Sequence, residues 1–361
     1  MRHASEIKNN QQIALWLIFC ATVILGMILL GGVTRLTHSG LSMVEWKPLM
    51  GIIPPLSETD WQATFAKYQQ FPEYQQVNVA MDLEGFKSIF LFEYAHRVLG
   101  RLIGVIFLVP FLIFWWRRQI TPALTPKLIT LFLLGGLQGL LGWYMVKSGL
   151  VDVPQVSQYR LTAHLGLAVI IYSYMLWVAL DLLYTKTAVP VSVSVGLRRT
   201  AFSVSGLLFL MILSGGLVAG TRAGFAYNTF PLMGDSFFPM GLYGTEPVWR
   251  AAFEDITTVQ FNHRMFAYLL CVLIGTFVWR GLKNRALQGR VRKGFWLLGL
   301  ALVIQVSLGI STLLLLVPVS LAAAHQLGAM VLLTCSLYVS HSLNAVAESV
   351  PATRVGGAAS A

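Results

Sequence analysis

The sequence predicts an all-α polytopic membrane protein with eight transmembrane helices. Of its 361 residues, 56% are hydrophobic and only 11% are charged, and the mean hydropathy is +0.68. Soluble domains carry roughly 25% charged residues. A helix needs about 20 apolar residues to cross the hydrocarbon core of a bilayer. Eight segments meet this length, approximately 13–35, 87–116, 128–147, 159–184, 199–219, 257–280, 294–316 and 319–344.

The basic residues indicate how the helices are oriented. The net charge of +11 could suggest a nucleic-acid-binding protein, but Lys and Arg lie in short runs between the apolar segments. Such runs mark cytoplasmic loops. With the N-terminus inside, only Glu6, Asp181 and Glu348 of the 15 acidic residues would be inside. We therefore expect no nucleic-acid partner and both termini in the cytoplasm, and we interpret the first segment as a retained helix rather than a signal peptide.

The three cysteines, Cys20, Cys271 and Cys335, all lie inside apolar segments. The sequence contains no Cys-x-x-Cys-His motif and no pair of cysteines in a loop. We therefore expect neither covalently attached haem nor an extracellular disulfide.

Two long connections, 36–86 and 223–256, are predicted to face outward. In the first, Ser57 and Asp60 form an Asp-bearing variant of the capping box, and Trp61, Phe65 and Tyr68 recur at helical spacing. This pattern predicts a short helix on the outer surface. It either covers a site or is a solvated loop helix.

The two halves of the sequence resemble each other. Tyr94-Ala95-His96-Arg97 opens the second helix, and Phe261-Asn262-His263-Arg264 opens the sixth. The other matches are Gly31-Gly32 with Gly215-Gly216, Thr34-Arg35 with Thr221-Arg222, Pro48-Leu49-Met50-Gly51 with Pro231-Leu232-Met233-Gly234, Gln138 with Gln305, and His164 with His325. Each half has an even number of spans, so both halves keep the same orientation. We predict two tandem four-helix bundles, residues 1–190 and 191–361, related by a pseudo-twofold axis along the membrane normal.

Four of the seven histidines are candidate metal ligands. His96, His164, His263 and His325 lie near the outer ends of helices 2, 4, 6 and 8, two in each half. Two histidines that face each other across a bundle can hold a haem iron axially, so we favour two bis-histidine b-type haems. Zinc, which takes three or four ligands, and a proton relay are alternatives. His3, His38 and His341 are interpreted as surface residues.

Haem propionates are anionic and need cations near the outer ends of the helices. Six arginines are predicted to lie there: Arg35, Arg97, Arg101, Arg160, Arg222 and Arg264. Contact with the headgroups of membrane lipid is the alternative for each of them.

One acidic residue distinguishes the two halves. Glu93 stands three residues before His96, whereas Gln260 stands three residues before His263. On a helix Glu93 shares a face with His96 and Arg97. An ionisable group at membrane depth usually marks a functional site, so Glu93 is a candidate catalytic residue, with an ion pair to Arg97 as the alternative.

These motifs resemble those of the haem A synthase family. The resemblance rests on Glu93-Tyr94-Ala95-His96-Arg97, Asn262-His263-Arg264, the two Thr-Arg segments and the paired histidines of helices 4 and 8, and it spans essentially the whole chain. It implies an oxidoreductase that oxidises the C8 methyl of haem O to a formyl group, which gives haem A for terminal oxidases. It further implies that His96 and His164 bracket the substrate haem, that His263 and His325 hold a resident haem b, and that Glu93 is the essential carboxylate.

The chain lacks the pair of loop cysteines present in some members, so it resembles the branch found in proteobacteria and mitochondria. This implies a multi-pass protein of the cell inner membrane with its haem sites toward the periplasm. Haem O synthase and an electron-transfer protein are the implied partners, and a homo-oligomer is left open. Two rival functions stay open: a dihaem b-type cytochrome that only transfers electrons, for example from quinol, and a transporter of haem or a small molecule.

Overall fold

A computed structural model describes residues 2–45, 52–150, 154–184 and 194–348, with side chains between residues 6 and 344. Over these ranges the protein forms eleven α-helices and one 3-10 helix, Ala223–Phe225. The α-helices are α1 (Arg2–Leu36), α2 (Glu58–Tyr68), α3 (Pro72–Gln76), α4 (Leu83–Trp116), α5 (Thr125–Lys147), α6 (Gln158–Leu183), α7 (Val195–Thr221), α8 (Val248–Glu254), α9 (Ile256–Lys283), α10 (Gly289–Leu314) and α11 (Val319–Glu348).

Eight of these helices, namely α1, α4, α5, α6, α7, α9, α10 and α11, are long and apolar enough to cross a membrane. The eight predicted segments are therefore confirmed, with differences of a few residues at their ends. For example, α10 ends at Leu314 rather than at 316, because Leu316 and Val317 adopt left-handed φ values of 63° and 58°. Helix α4 begins at Leu83, where the Asp82 side chain caps it by accepting the Gly85 N–H at 2.8 Å.

Helix α4 is longer than a membrane requires. Its 34 residues span about 51 Å at the helical rise of 1.5 Å per residue, against a hydrocarbon core of about 30 Å. Its first turns therefore extend past the core and provide a surface on which the outer segment packs.

The predicted outer helix is confirmed as α2, and we call α2 and α3 together the roof helices. The capping box forms as expected: the Asp60 N–H donates to Ser57 Oγ at 3.1 Å, and the Ser57 N–H donates to Asp60 Oδ2 at 3.2 Å. The aromatic ring of the fully buried Tyr68 stacks on Phe86 of α4, with 5.1 Å between centroids. Trp61 packs edge-on against Phe90, also at 5.1 Å. This packing favours a cover over α4 and not a solvated loop helix.

The same helix pairs pack together in each half of the chain. In the first half α1 contacts α4 and α6, and α5 contacts α4 and α6. In the second half α7 contacts α9 and α11, and α10 contacts α9 and α11. The halves meet through α6 with α7, α1 with α11, and α6 with α11. Replacing each helix by its counterpart in the other half gives the same three contacts, as a twofold arrangement requires.

Two of the predictions lie outside the described residues: the boundary after residue 190 and the match at Pro48–Gly51. The direction of the pseudo-twofold axis stays a prediction.

The interpretation of His341 as a surface residue is wrong. Its side chain is only 4% exposed. Its Nε2 lies 3.1 Å from Asp181 of α6, and Arg290 of α10 donates to its Nδ1 at 3.2 Å. Three helices converge here, and the imidazole of His341 is buried because Asp181 and Arg290 bind its two nitrogens. Sequence position at a helix end carries no information about such convergence.

Candidate functional site

The four candidate histidines form two pairs, one in each half. His96 of α4 and His164 of α6 are close enough for charges on the two imidazoles to repel each other, and so are His263 of α9 and His325 of α11. Each histidine lies within the first four turns of its helix. Since successive spans alternate in direction, these four helices begin on the same side. Both pairs therefore lie toward one side of the protein.

Each imidazole faces a glycine on a neighbouring helix. A Cβ atom added to that glycine would lie within 3.6 Å of the imidazole Cε1 in every case, and two of the four distances are below 3.0 Å, where the ring would have to shift. The distances are 3.0 Å for Gly31 and His96, 2.9 Å for Gly142 and His164, 3.6 Å for Gly215 and His263, and 2.8 Å for Gly309 and His325. The missing side chains thus make room for the rings.

Hydrogen bonds orient some of these rings. His263 Nδ1 lies 3.0 Å from Ser214 Oγ, and His325 Nδ1 lies 3.1 Å from the side-chain amide of Gln305. The Ser214 hydroxyl can accept the Nδ1–H of His263, which fixes the ring and leaves Nε2 for a metal. At His325 the facing atom of Gln305 is its amide nitrogen, a donor, so the same role requires the amide oxygen of Gln305, which has no other partner among the described residues, to take that place. In the other half, Nδ1 of His96 and Nδ1 of His164 are buried and have no hydrogen-bond partner among the described residues.

This arrangement fits haem better than zinc. Each pair offers two imidazole ligands, which is the number that a bis-histidine haem iron takes from the protein, whereas structural zinc takes four ligands. Among the described residues, no group of three or more His, Cys, Asp or Glu side chains gathers as a metal site. The glycines beside the rings and the buried nitrogens without partners also fit a bound planar group.

Glu93 is buried, with 3% of its surface exposed, and three donors bind its carboxylate. Arg97 Nη2 donates to Oε1 at 2.6 Å. The Ser42 hydroxyl and the Met43 N–H both donate to Oε2, each at 2.8 Å. Arg97 Nη2 also donates to the Met43 carbonyl at 2.8 Å. The predicted ion pair therefore exists within α4, and the hydrogen bonds to Ser42 and Met43 join α4 to the segment that follows α1.

The matching place in the second half has no carboxylate. Gln260 donates to the Tyr227 carbonyl at 3.0 Å. Arg264 donates to the carbonyls of Tyr227, Thr229 and Leu232 at 2.7, 2.8 and 3.1 Å. In both halves the arginine that follows the histidine thus binds the loop beyond the first helix of its bundle. Only the first half adds a buried negative charge.

Two further predicted arginines reach across the seam between the halves. Arg35 Nη2 donates to the Gly220 carbonyl of the second half at 3.2 Å, and Arg222 Nη2 donates to His38 Nδ1 of the first half at 3.1 Å. Burial and the positive charges of Arg222 and Arg35 lower the pKa of His38, so this imidazole accepts the bond in its neutral form.

Four arginines have a buried Nε with no hydrogen-bond partner among the described residues, namely Arg35, Arg198, Arg264 and Arg290, and two of these four are among the arginines predicted to bind propionates. The Nε donors of these two, Arg35 and Arg264, fit an anion such as a haem propionate. For Arg97 and Arg222 the contacts described above are to protein groups, and a propionate contact stays a prediction.

Sequence reasoning did not single out several residues of this site. Gly309 follows Gln305 by four residues, as Gly142 follows Gln138, so closer comparison of the repeats would have found it. Ser42 and Ser214 carry no comparable signal, because Glu93 and His263, which they contact, are 51 and 49 positions away in the sequence.

Comparison with known proteins places the chain in a family. The family described as cytochrome oxidase assembly protein, COX15-CtaA, matches residues 14–337. A protein of Nitrosospira multiformis named heme A synthase is 54% identical over 92% of this chain and 94% of its own length. Proteins of the same name from Nitrosomonas eutropha and Parvibaculum lavamentivorans are 52% and 48% identical, each over 93% of this chain and 95% of their own length. The chain therefore belongs to the COX15-CtaA family of cytochrome oxidase assembly proteins.

Proposed function

We propose that this protein is a haem A synthase, an oxidoreductase that converts the C8 methyl of haem O to a formyl group. The observation that carries the proposal is the difference between the halves. A buried carboxylate, Glu93, lies one helical turn before His96, and a neutral amide, Gln260, occupies the matching place before His263. Two bundles with matching ligands and one unmatched charge suit one reacting haem and one resident haem. The name heme A synthase of the relatives supports the same conclusion.

Glu93 has one acceptor position left for the reaction. A carboxylate offers about four lone pairs, of which Ser42, Met43 and Arg97 use three, one of them on Oε1. The fixed carboxylate therefore stabilises positive charge that develops beside His96, because a preorganised charge needs no reorientation during the reaction. The remaining lone pair of Oε1 accepts at most one hydrogen bond or proton.

In the second half, His263 and His325 would hold the resident haem b, and Ser214 and Gln305 would orient their rings. A bound haem b supplies one-electron transfer. The unpartnered Nε of Arg264 fits one of its propionates. The chain's own contribution here is to orient two imidazoles and to balance the charge of the propionates.

Helices α4 and α5 carry four glycines on exposed faces. At each of these glycines an added Cβ would meet nothing within 4 Å, and the matching places in the second half hold larger residues. The four positions and their counterparts are Gly104 and Cys271, Gly135 and Leu302, Gly136 and Val303, and Gly139 and Val306. Haem O carries a long prenyl chain, so the room left by these glycines supports the first half as the substrate half.

We further propose that the protein lies in the cell inner membrane, with both termini in the cytoplasm and the histidine pairs toward the periplasm. The distribution of Lys and Arg supports this orientation. The reaction needs a supply of haem O and a protein that exchanges electrons, so haem O synthase and an electron-transfer protein are the proposed partners. Membrane lipid surrounds the exposed faces, and a homo-oligomer is compatible with the proposal.

Extraction of the pigments tests the function. When the protein is expressed with a source of haem O in a host that makes no haem A, we expect haem A in the extract. Haem O that stays unchanged beside redox-active haem b would instead identify a dihaem cytochrome, and haem that accumulates across the membrane without change would identify a transporter. Chromatography of extracted haems separates these outcomes.

Gly309→Ala is expected to reduce the haem b content or to change its axial-ligand spectrum, because the new Cβ would lie 2.8 Å from His325 Cε1. Gly215→Ala is the matched control, since its Cβ would lie 3.6 Å from His263 Cε1, an ordinary contact. Both changes raise helix propensity by about 1 kcal/mol, so neither should unfold its helix. Haem per protein and the electron paramagnetic resonance spectrum measure the effect. Identical values for the two variants would contradict the placement.

A further inference from the structure

A second carboxyl group lies buried under the roof helices. Glu73 of α3 is only 6% exposed although it is outside the membrane-spanning segments. The hydroxyl of Tyr68, which is fully buried, donates to Glu73 Oε2 at 3.2 Å. Asn78 Nδ2 in turn donates to the Tyr68 oxygen at 2.7 Å. Glu73, Tyr68 and Asn78 therefore form one hydrogen-bonded chain.

The hydrogen-bonded chain from Glu73 to Asn78 ends at a cavity between the two halves of the protein. Asn78 lines a cavity of about 250 Å³ whose other walls are Thr37, His38, Val77, Met81, Ile89 and Arg222. At roughly 30 Å³ per water molecule, it has room for several waters. The side chains of Asn78, His38 and Arg222 provide polar partners for them. Water in the cavity would therefore lie next to Asn78, the last residue of the hydrogen-bonded chain that begins at Glu73.

Glu73 also lies near the proposed reaction site. It is close enough to Glu93 for the charges of the two carboxylates to repel each other, and the same charge of Glu93 acts on Tyr68. The Ser42 hydroxyl that donates to Glu93 lies 3.4 Å from the carbonyl of Ile89, a residue of the cavity wall. Glu73 therefore lies near the Glu93 pocket, and Tyr68 and Asn78 connect it to the cavity.

Four influences set the affinity of Glu73 for a proton. Burial raises the pKa of Glu73 to about 7, and the negative charge of Glu93 acts in the same direction. The hydrogen bond from Tyr68 and the positive charge of Arg222 oppose this rise. A carboxyl group with this pKa both holds and releases a proton near neutral pH.

We propose that Glu73 exchanges protons between the Glu93 pocket and the water of the cavity, and that Tyr68 and Asn78 position its carboxyl group for this exchange. The role in turnover rests on the proposed function. When water supplies the oxygen, conversion of a methyl to a formyl group releases four protons and four electrons. The electrons pass to the proposed electron-transfer protein, and the protons must leave the pocket for water. In each exchange the Glu73 carboxylate gains one proton from the pocket side and loses one proton to the cavity.

Infrared spectroscopy of the purified full-length protein tests the exchange group without any turnover. We expect a C=O band of a protonated carboxyl group that titrates with a midpoint near pH 7 and is absent in Glu73→Gln. Glu84→Gln, which removes an exposed carboxylate of α4 (78% exposed), is the matched control and should keep the band. A band that persists in Glu73→Gln would overturn the proposal.

Two further variants give opposite shifts of the midpoint. Tyr68→Phe removes a hydrogen bond that lowers the pKa of Glu73, so its band should titrate at higher pH. Glu93→Gln removes a negative charge that raises this pKa, so its band should titrate at lower pH. These variants also keep the proposal testable if Glu73→Gln does not fold. An unchanged midpoint in both variants would contradict the arrangement.

The pH dependence of haem A formation separates proton exchange from a purely structural role. The wild-type rate of haem A formation should change around pH 7. In Glu73→Gln this pH dependence should disappear, and the rate should fall by about 10-fold or more. Glu73→Asp should restore part of both. A Glu73→Gln protein that is only less heat-stable, with an unchanged pH profile, would refute exchange. If the infrared band behaves as expected but no haem A forms, the proposed function is wrong, and Glu73 is still identified as a carboxyl group that titrates near pH 7.

Discussion

Glu93→Gln is expected to retain both histidine pairs and the resident haem b while haem A formation falls by about 100-fold or more. The reason is that the amide has nearly the same shape as the carboxylate but carries no negative charge to stabilise the reacting centre. The second half indicates that the fold accepts this side chain, because Gln260 and Arg264 already stand four residues apart there. Single-turnover conversion of haem O, with haem b content measured on the same sample, gives the result.

The control for this variant is Glu84→Gln, which removes a carboxylate from the same helix at an exposed position. It should leave the conversion unchanged. Full activity in Glu93→Gln would remove Glu93 from the mechanism and leave its ion pair with Arg97 as a structural contact. Loss of haem b together with activity would instead mean that Glu93 is needed for assembly.

Alanine substitutions of the four histidines are expected to separate the two haem sites. His263→Ala and His325→Ala should each remove most of the bound haem b, because a bis-histidine iron loses one of its two protein ligands. His96→Ala and His164→Ala should keep haem b but lose binding of haem O and the formation of haem A. The pyridine haemochrome spectrum measures haem b per protein, and added haem O is followed by its absorbance shift.

His38→Ala is the control for this set, since His38 belongs to neither pair and hydrogen-bonds to Arg222. It should retain haem b. The ligand assignment would be refuted by a His263→Ala protein with normal haem b content. Equal loss of both haems in all four variants would show that the halves do not bind haem independently.

The eight spans and the short outer helix could be predicted because each depends on local composition. About 20 apolar residues must form a helix when they cross hydrocarbon, where every backbone N–H and C=O needs an internal partner. The Ser57 and Asp60 capping box acts within one helical turn, so its residues are adjacent in sequence. The repeat likewise placed His96 with His164 and His263 with His325, since two similar sequences fold into similar bundles.

The surroundings of these residues depended on contacts between distant segments. Ser42 binds Glu93 although 51 positions separate them, and Arg35 reaches Gly220 across 185 positions. His341 was misassigned for the same reason, because its burial comes from α6 and α10 and not from its own helix.

Sequence pattern alone thus identified eight helices, four candidate ligand histidines and one unmatched carboxylate, since helix formation in a bilayer and repetition are local properties. Only the packed bundle revealed that three donors hold Glu93 and that Glu73 lies buried beside it. Burial and hydrogen bonding of a charged group are set by whatever segments fold against it, and no local pattern records them.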